Sequence, residues 1–219
     1  MEKTQFEKLQ DELDSIWVHG KKTLPTEVVE AFEKSIQDLR NSNSARGLVI
    51  GEKAPDFTLE DQIGKNITLS KVTAKGPVIL TFYRGLWCPF CNVELRGYQQ
   101  IIDNIHATGA QLLAISPLTP EHTLSVQEKH ELSFHVLSDL HNQIAEKYRL
   151  KFKVPGYLHD IYRSLDFALD KYNGDNFWEL PVPATYIIDQ QGVIRFANVD
   201  PDYRRRTEPG EVLNFLRSL

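Results

Sequence analysis

Phe82-Tyr83-Arg84-Gly85-Leu86-Trp87-Cys88-Pro89-Phe90-Cys91-Asn92-Val93-Glu94-Leu95 carries the only two cysteines in 219 residues, three positions apart. The near-continuous apolar run Val78 to Tyr83 leads into them and reads as a strand buried on both faces. A helical pattern from Cys91 to His106 leads out, with Gly109 placed to end it. A thiol at the start of a helix has its thiolate stabilised by the helix dipole and is therefore reactive. Residues three apart on a helix are neighbours, within the separation a disulfide tolerates. Cys88 and Cys91 thus read as a dithiol that cycles, one sulfur attacking and the other resolving the intermediate by exchange.

Composition narrows the alternatives. The formal net charge is −5, so no basic field holds nucleic acid, and Arg204-Arg205-Arg206 reads as a solvated turn. No apolar run approaches the ~20 residues of a membrane helix, and Met1 to Gln5 lead into a charged amphipathic segment, so the expectation is a cytoplasmic protein with no membrane partner. A dithiol in such a compartment favours redox chemistry over a permanent staple. Zinc is the weaker option, because two cysteines make half a site and the seven histidines are scattered. No metal or cofactor is expected.

Outward from the dithiol, the chain alternates strands and helices. Phe57-Thr58-Leu59 and Ile67-Thr68-Leu69 predict a hairpin, Leu112 to Ile115 a second buried strand, and Thr119-Pro120 the start of a helix. Phe134 to Leu137 predict a short strand and Asn142 to Tyr148 a short helix. Ile161, Leu165, Leu169 and Tyr172 predict one face of a further helix within residues 153–180, whose aromatics Phe152, Tyr157, Tyr162, Phe177 and Trp178 read mainly as core. Thr185 to Ile188 and Val193 to Ala197 flank a glycine-bearing turn, and Glu211 to Leu219 a last helix. This order argues for a layered α/β sheet with helices on both faces. Ahead of it, Phe6, Leu9, Leu13, Ile16 and Trp17, then Val28, Phe32, Ile36 and Leu39, predict two helices, with Pro25 in the first turn of the second. The division expected is a helical extension over residues 1–46 and a main domain over 47–219. The extension packs on the main domain or, as the alternative, serves as an arm for a homodimer.

Around the dithiol, Trp87 offers an apolar contact surface, Arg84 positive potential, and Pro183 opens a strand where a cis proline would pack against the sulfurs. Glu94 has the residue type of a proton shuttle, although a solvated carboxylate in the first helical turn is the plainer expectation.

Residues 47–219 resemble the peroxiredoxins of the AhpC/TSA family, built on the thioredoxin fold. The resemblance rests on Gly51 to Leu59, the dithiol region, Leu113-Ala114-Ile115-Ser116-Pro117, Leu137-Ser138-Asp139, and Pro183 to Asp189 through Gly192. Arg84-Gly85-Leu86-Trp87-Cys88-Pro89-Phe90-Cys91 resembles a peroxiredoxin-like branch with a Cys-x-x-Cys pair. The resemblance implies a central mixed β-sheet flanked by helices and an antioxidant oxidoreductase that reduces hydroperoxides, recycled by a thioredoxin- or glutaredoxin-type donor. In the family's register Cys91 takes the peroxidatic position, Cys88 the place of a threonine, Arg84 that of a proline, and Pro183 that of an arginine. The threonine and arginine that polarise peroxide in ordinary members are therefore missing, and a thioredoxin-like pair stands there instead. Thioredoxin logic names Cys88 as the attacking sulfur and peroxiredoxin logic Cys91; Cys88 is favoured here. Exchange with protein disulfides is the alternative function, and a non-enzymatic redox-sensing or interaction module a more distant one.

Overall fold

The computed structural model describes residues 8–219, so Phe6 and the segment Met1 to Gln5 lie outside the described residues. Helices α1 (Leu9–Thr23) and α2 (Thr26–Asn41) come first. Pro25 stands just before α2, in extended conformation, and does not occupy its first turn. The strands β1 (Thr58–Glu60) and β2 (Asn66–Thr68) form the expected antiparallel hairpin, followed by the short α3 (Leu69–Thr73). Next come β3 (Val78–Phe82), α4 (Pro89–Gln100), α5 (Ile102–Ala107), β4 (Gln111–Ser116), α6 (Pro120–His130), β5 (His135–Ser138) and α7 (Gln143–Lys147). The helical pattern after the dithiol is thus interrupted at Ile101, and Gly109 follows α5 with φ +81°.

The segment 153–180 differs from its expectation. The strands β6 (Lys151–Lys153) and β7 (Glu179–Pro181) pair antiparallel and close a loop that carries α8 (His159–Ser164) and α9 (Leu169–Asn173). Between these helices Asp166 adopts φ +58°, and the Phe167 amide donates back to the Tyr162 carbonyl. The turn ends the helix because it sends Phe167 inward, where its ring lies 5.0 Å from that of Trp87. The chain ends with β8 (Ala184–Ile188), β9 (Ile194–Val199) and α10 (Pro209–Leu216).

The central sheet has the order β5-β4-β3-β8-β9, parallel across β3–β4 and β4–β5 and antiparallel across β3–β8 and β8–β9. Every residue of β3 is buried, as expected of a strand covered on both faces. Val78, Leu80 and Phe82 face a core shared with Leu48, Phe57 and Ile144, whereas Ile79 and Tyr83 face the core that holds both cysteines. Alternation along one strand therefore aims the Tyr83 end of β3 at the dithiol face.

The two N-terminal helices belong to that second core. Leu9, Leu13, Phe32 and Ile36 pack in the same cluster as Cys88, Cys91 and Leu95, so their apolar stripes are consumed inside the chain and do not form a projecting dimerisation arm. The start of α1 is held by Glu208, whose carboxylate accepts from the amides of Leu9 (2.9 Å) and Gln10 (3.0 Å). Those amides have no partner within the helix, and a carboxylate there also suits the helix dipole. No helix among the described residues is long and apolar enough to cross a membrane.

Leu13 is wholly buried between α1 and the dithiol core. Leu13→Ala is expected to lower unfolding free energy by about 2–5 kcal/mol, read from the urea midpoint. A change near zero would mean that α1 does not contribute to the core.

Candidate active site

Gly85 sets the approach to the dithiol. Its φ of +144° is unfavourable for a side chain, and an added Cβ would fall 2.7 Å from Trp87 Nε1. The turn lets the Trp87 indole fold back beneath the loop, and Asn92 Nδ2 donates to the Leu86 carbonyl at 2.9 Å to pin it. Cys88 is the residue just before α4, in extended conformation, with Pro89 opening the helix. Cys91 lies in the first turn on the face that carries Leu95 and Tyr98 inward.

Both cysteines are fully buried (0% exposed), and their sulfurs lie 2.8 Å apart. The Arg84 guanidinium donates through Nη2 to Cys88 Sγ at 3.2 Å, while the Arg84 amide faces Cys91 Sγ at 3.5 Å. Arg84 is itself buried, its guanidinium 3.7 Å from the Tyr203 ring centroid and 5.0 Å from that of Trp87. Among the described residues it has no carboxylate partner, and its Nε has no acceptor. Cys88 Sγ is therefore the group that answers its charge.

A second guanidinium enters from the opposite end of the chain. Arg206 donates through Nε to Glu94 at 2.8 Å, and its Nη2 lies 3.7 Å from Cys91 Sγ. The Arg206 and Glu94 side chains are 3% and 1% exposed. Two expectations are corrected here. Glu94 is not a solvated carboxylate, because it stands on the inward face of α4 beside Cys91. Arg204-Arg205-Arg206 is not a solvated turn either: Arg204 grips Asp202 and covers the Trp17 ring, Arg206 is buried, and Arg205 alone is exposed.

Pro183 is buried just ahead of β8, one position beyond the Phe82–Ala184 pair and so opposite Tyr83. The Val182–Pro183 bond is trans, as are all peptide bonds among the described residues, so the cis geometry that the sequence left open is not adopted. Of the sequence-derived residues, Arg84, Trp87, Cys88, Cys91 and Glu94 converge, and Pro183 marks the neighbouring strand end. Arg206 and Tyr203 escaped the sequence reading. The signal was Glu94 itself, since a carboxylate on the buried face of α4 requires a buried cation.

The electrostatics separate the two thiols. Burial pushes the Cys88 thiol up, but the hydrogen bond from Cys91 and then the charges of Arg84 and Arg206 outweigh it and bring it to about 5. Burial and the adjacent Cys88 sulfur hold the Cys91 thiol well above its usual range. Burial likewise raises Glu94 to about 7, against the pull of Arg206. Ionisation of the pair is thus favoured on Cys88, the sulfur that Arg84 contacts, over Cys91. No group of three His, Cys, Asp or Glu side chains among the described residues is arranged to hold a metal ion.

Residues 50–197 match the model of the AhpC/TSA family. The chain belongs to that family. It is similar to the chloroplastic peroxiredoxin Q of Suaeda salsa, 30% identical over 173 residues that span 77% of this chain and 68% of that protein. It is also similar to the putative peroxiredoxin bcp of Haemophilus influenzae, 31% identical over 126 residues, 57% of this chain and 81% of that one. The crystal structure of peroxidoxin BcpB from Mycobacterium tuberculosis shares the fold, with a TM-score of 0.61 and 20% identity over 78% of this chain and 97% of that one. The protein is thus a peroxiredoxin-like member of the AhpC/TSA family with a thioredoxin fold, and a thiol-dependent peroxidase. The family match excludes α1, α2 and the segment 200–208, which bring Tyr203 and Arg206 to the dithiol.

Two outcomes test this electrostatic arrangement. Because the folded pKa of Cys88 is depressed, its thiolate stabilises the reduced protein fully above the unfolded value near 9.0 and loses that effect as pH falls to about 5. Thiolate ultraviolet absorbance of the reduced protein should therefore persist well below pH 7 and titrate near 5, and it should vanish in Cys88→Ser. Arg206→Leu leaves Glu94 buried alone and should cost about 3–5 kcal/mol, most of it recovered when Glu94→Leu is added. Additive losses in the double variant would show that the two side chains do not act as a pair.

Proposed function

We propose that this AhpC/TSA protein reduces hydroperoxides with Cys88 as the attacking sulfur and Cys91 as the resolving one. The observation that carries the assignment is the 3.2 Å contact between the Arg84 guanidinium and Cys88 Sγ, in a pocket with no carboxylate on Arg84 among the described residues. The Cys88 thiolate attacks one peroxide oxygen, the O–O bond breaks, and the other oxygen leaves as an alkoxide or hydroxide that takes up a proton. Cys88 is left as a sulfenic acid. Arg84, already beside the sulfur, neutralises the charge that develops on the leaving oxygen without reorganising. Cys91 then attacks the sulfenic sulfur, its S–H proton departs with the hydroxyl as water, and the Cys88–Cys91 disulfide forms. A sulfur separation of 2.8 Å places the resolving step within small side-chain rotations. Glu94, raised to about 7 by burial, is held by the same Arg206 that contacts Cys91, so its protonation sets the charge beside the resolving sulfur.

Exchange with disulfides of folded proteins is the weaker reading, because both sulfurs are fully buried beneath α1, α2 and residues 200–208. Cytoplasmic action belongs to the same proposal, since a dithiol that must be re-reduced after each turnover works where thiol donors are kept reduced.

A single turnover decides between the sulfurs. Hydrogen peroxide added to the reduced protein should convert two thiols to one disulfide, followed by tryptophan fluorescence and mass. Cys88→Ser should not react, and Cys91→Ser should stop at a one-oxygen adduct trapped by dimedone. The reverse pattern would transfer the attacking role to Cys91, and a wild-type protein inert to peroxide would refute the peroxidase reading.

A further inference from the structure

We infer that Tyr203 is a positioning residue for the dithiol: its ring face holds the Arg84 guanidinium against Cys88 Sγ without neutralising it, and the two N-terminal helices hold Tyr203. The inference rests on Cys88 as the ionised sulfur, and it gives that sulfur a supporting residue from outside the matched region 50–197.

The first observation is how Arg84 is held. Its guanidinium carbon lies 3.7 Å from the Tyr203 ring centroid and 5.0 Å from that of Trp87, while Nη2 reaches Cys88 Sγ at 3.2 Å. Among the described residues no carboxylate meets Arg84, and its Nε has no acceptor. A side chain this long loses many rotamers when it is fixed, so something must hold it. A ring face attracts a cation and orients its plane, yet carries no net charge. A carboxylate in the same place would hold the guanidinium well, but it would draw the positive potential away from the sulfur. The aromatic contact therefore fixes the cation and leaves its field to Cys88.

The second observation is what fixes the ring. Tyr203 is buried, and its ring meets edge-on that of Phe90, which stands between the two cysteines in sequence, at 5.4 Å. Burial pushes the Tyr203 hydroxyl up, which keeps it neutral. On either side of it, Arg204 grips the Asp202 carboxylate at two points, 2.7 and 2.8 Å. From α1, Gln10 donates to the Arg204 carbonyl at 3.1 Å and the Trp17 ring lies under the Arg204 guanidinium at 4.4 Å; from α2, Arg40 stands 3.5 Å from Asp202. The helical extension thereby has a route to the chemistry. Helices α1 and α2 fix the neighbours of Tyr203, Tyr203 fixes Arg84, and Arg84 meets the sulfur.

The other groups that bear on Cys88 are Cys91, Arg206 with its partner Glu94, and Tyr162. None of them is removed with the Tyr203 ring, so the acidity of Cys88 reports the placing of Arg84.

The test follows the acid titration of the reduced full-length protein by thiolate absorbance, with Cys88→Ser as the reference that lacks it, and measures thermal unfolding in parallel. Tyr203→Phe keeps the ring face and should keep the wild-type midpoint near 5. Tyr203→Leu should raise the midpoint, by about a tenfold loss of acidity. Tyr203→Met fills the space with a flexible neutral chain and should shift the midpoint in the same direction, which keeps the test decisive where the leucine variant fails to fold. In an Arg84→Met background Tyr203→Leu should shift nothing further, because the cation through which the ring acts is gone. A leucine or methionine variant that melts earlier yet titrates like the wild type would overturn the inference and leave the ring a packing group. A Tyr203→Phe shift as large as that of Tyr203→Leu would also overturn it, by placing the effect in the hydroxyl. An acid transition that survives in Cys88→Ser would overturn the assignment of Cys88 and this inference with it. No peroxide enters the titration, so a protein inert to peroxide that shows the expected order would refute the peroxidase reading alone.

Discussion

A guanidinium buried against a sulfur organises this molecule. Arg84 is removed from water, stacked on Tyr203 and flanked by Trp87, with Cys88 Sγ 3.2 Å from Nη2. A charge in such a place is tolerated only if an opposite one answers it. The thiol is consequently held ionised, and the loop is built around keeping the two together. Gly85 gives the backbone the conformation that folds the Trp87 indole beneath the guanidinium, and Cys88 sits where α4 begins. Reactivity and stability share one cause here, because the thiolate that attacks is also the counter-ion that makes Arg84 tenable.

The same requirement explains why segments outside the matched region 50–197 are so firmly attached. The stretch 200–208 supplies Tyr203 to the face of Arg84 and Arg206 to Glu94 and Cys91, then caps α1 through Glu208. The Gln10 side chain donates to the Arg204 carbonyl, and Arg204 covers Trp17, so α1 is joined to the segment at several points. The additions to the thioredoxin frame thus form one assembly that excludes water from the dithiol. A low-dielectric surround strengthens each charge interaction inside it, which is what the separation of the two thiols' proton affinities requires.

How much of this was legible in the sequence depended on the range of the interaction. The apolar run through β3, the hairpin of β1 and β2, and the strand-to-helix setting of the two cysteines are local patterns, and each announced its element. The buried pairing of Glu94 with Arg206 spans 112 positions, so the sequence could set Glu94 on the inward face of α4, three residues after Cys91, without naming the cation that meets it. A trio of arginines reads as solvated until the partners of its first and last members are known. The break in the 153–180 helix was hidden for a related reason: Phe167 turns inward to reach Trp87, a contact set by tertiary packing that overrides helical periodicity. The trans geometry before Pro183 had no sequence signal either, since the same residue pair is compatible with both isomers.

The resemblance implies an arginine where Pro183 stands and a threonine at Cys88, and in this site two guanidiniums reach the sulfurs instead. Arg84 stands at the register's proline position, and Arg206 arrives from beyond the matched region. Positive charge stands at both sulfurs, and neither cation comes from the strand end that holds Pro183. Arg84 belongs to the loop that also carries Cys88, so the segment that presents the sulfur also presents the charge beside it, with Tyr203 and Trp87 packed on the guanidinium.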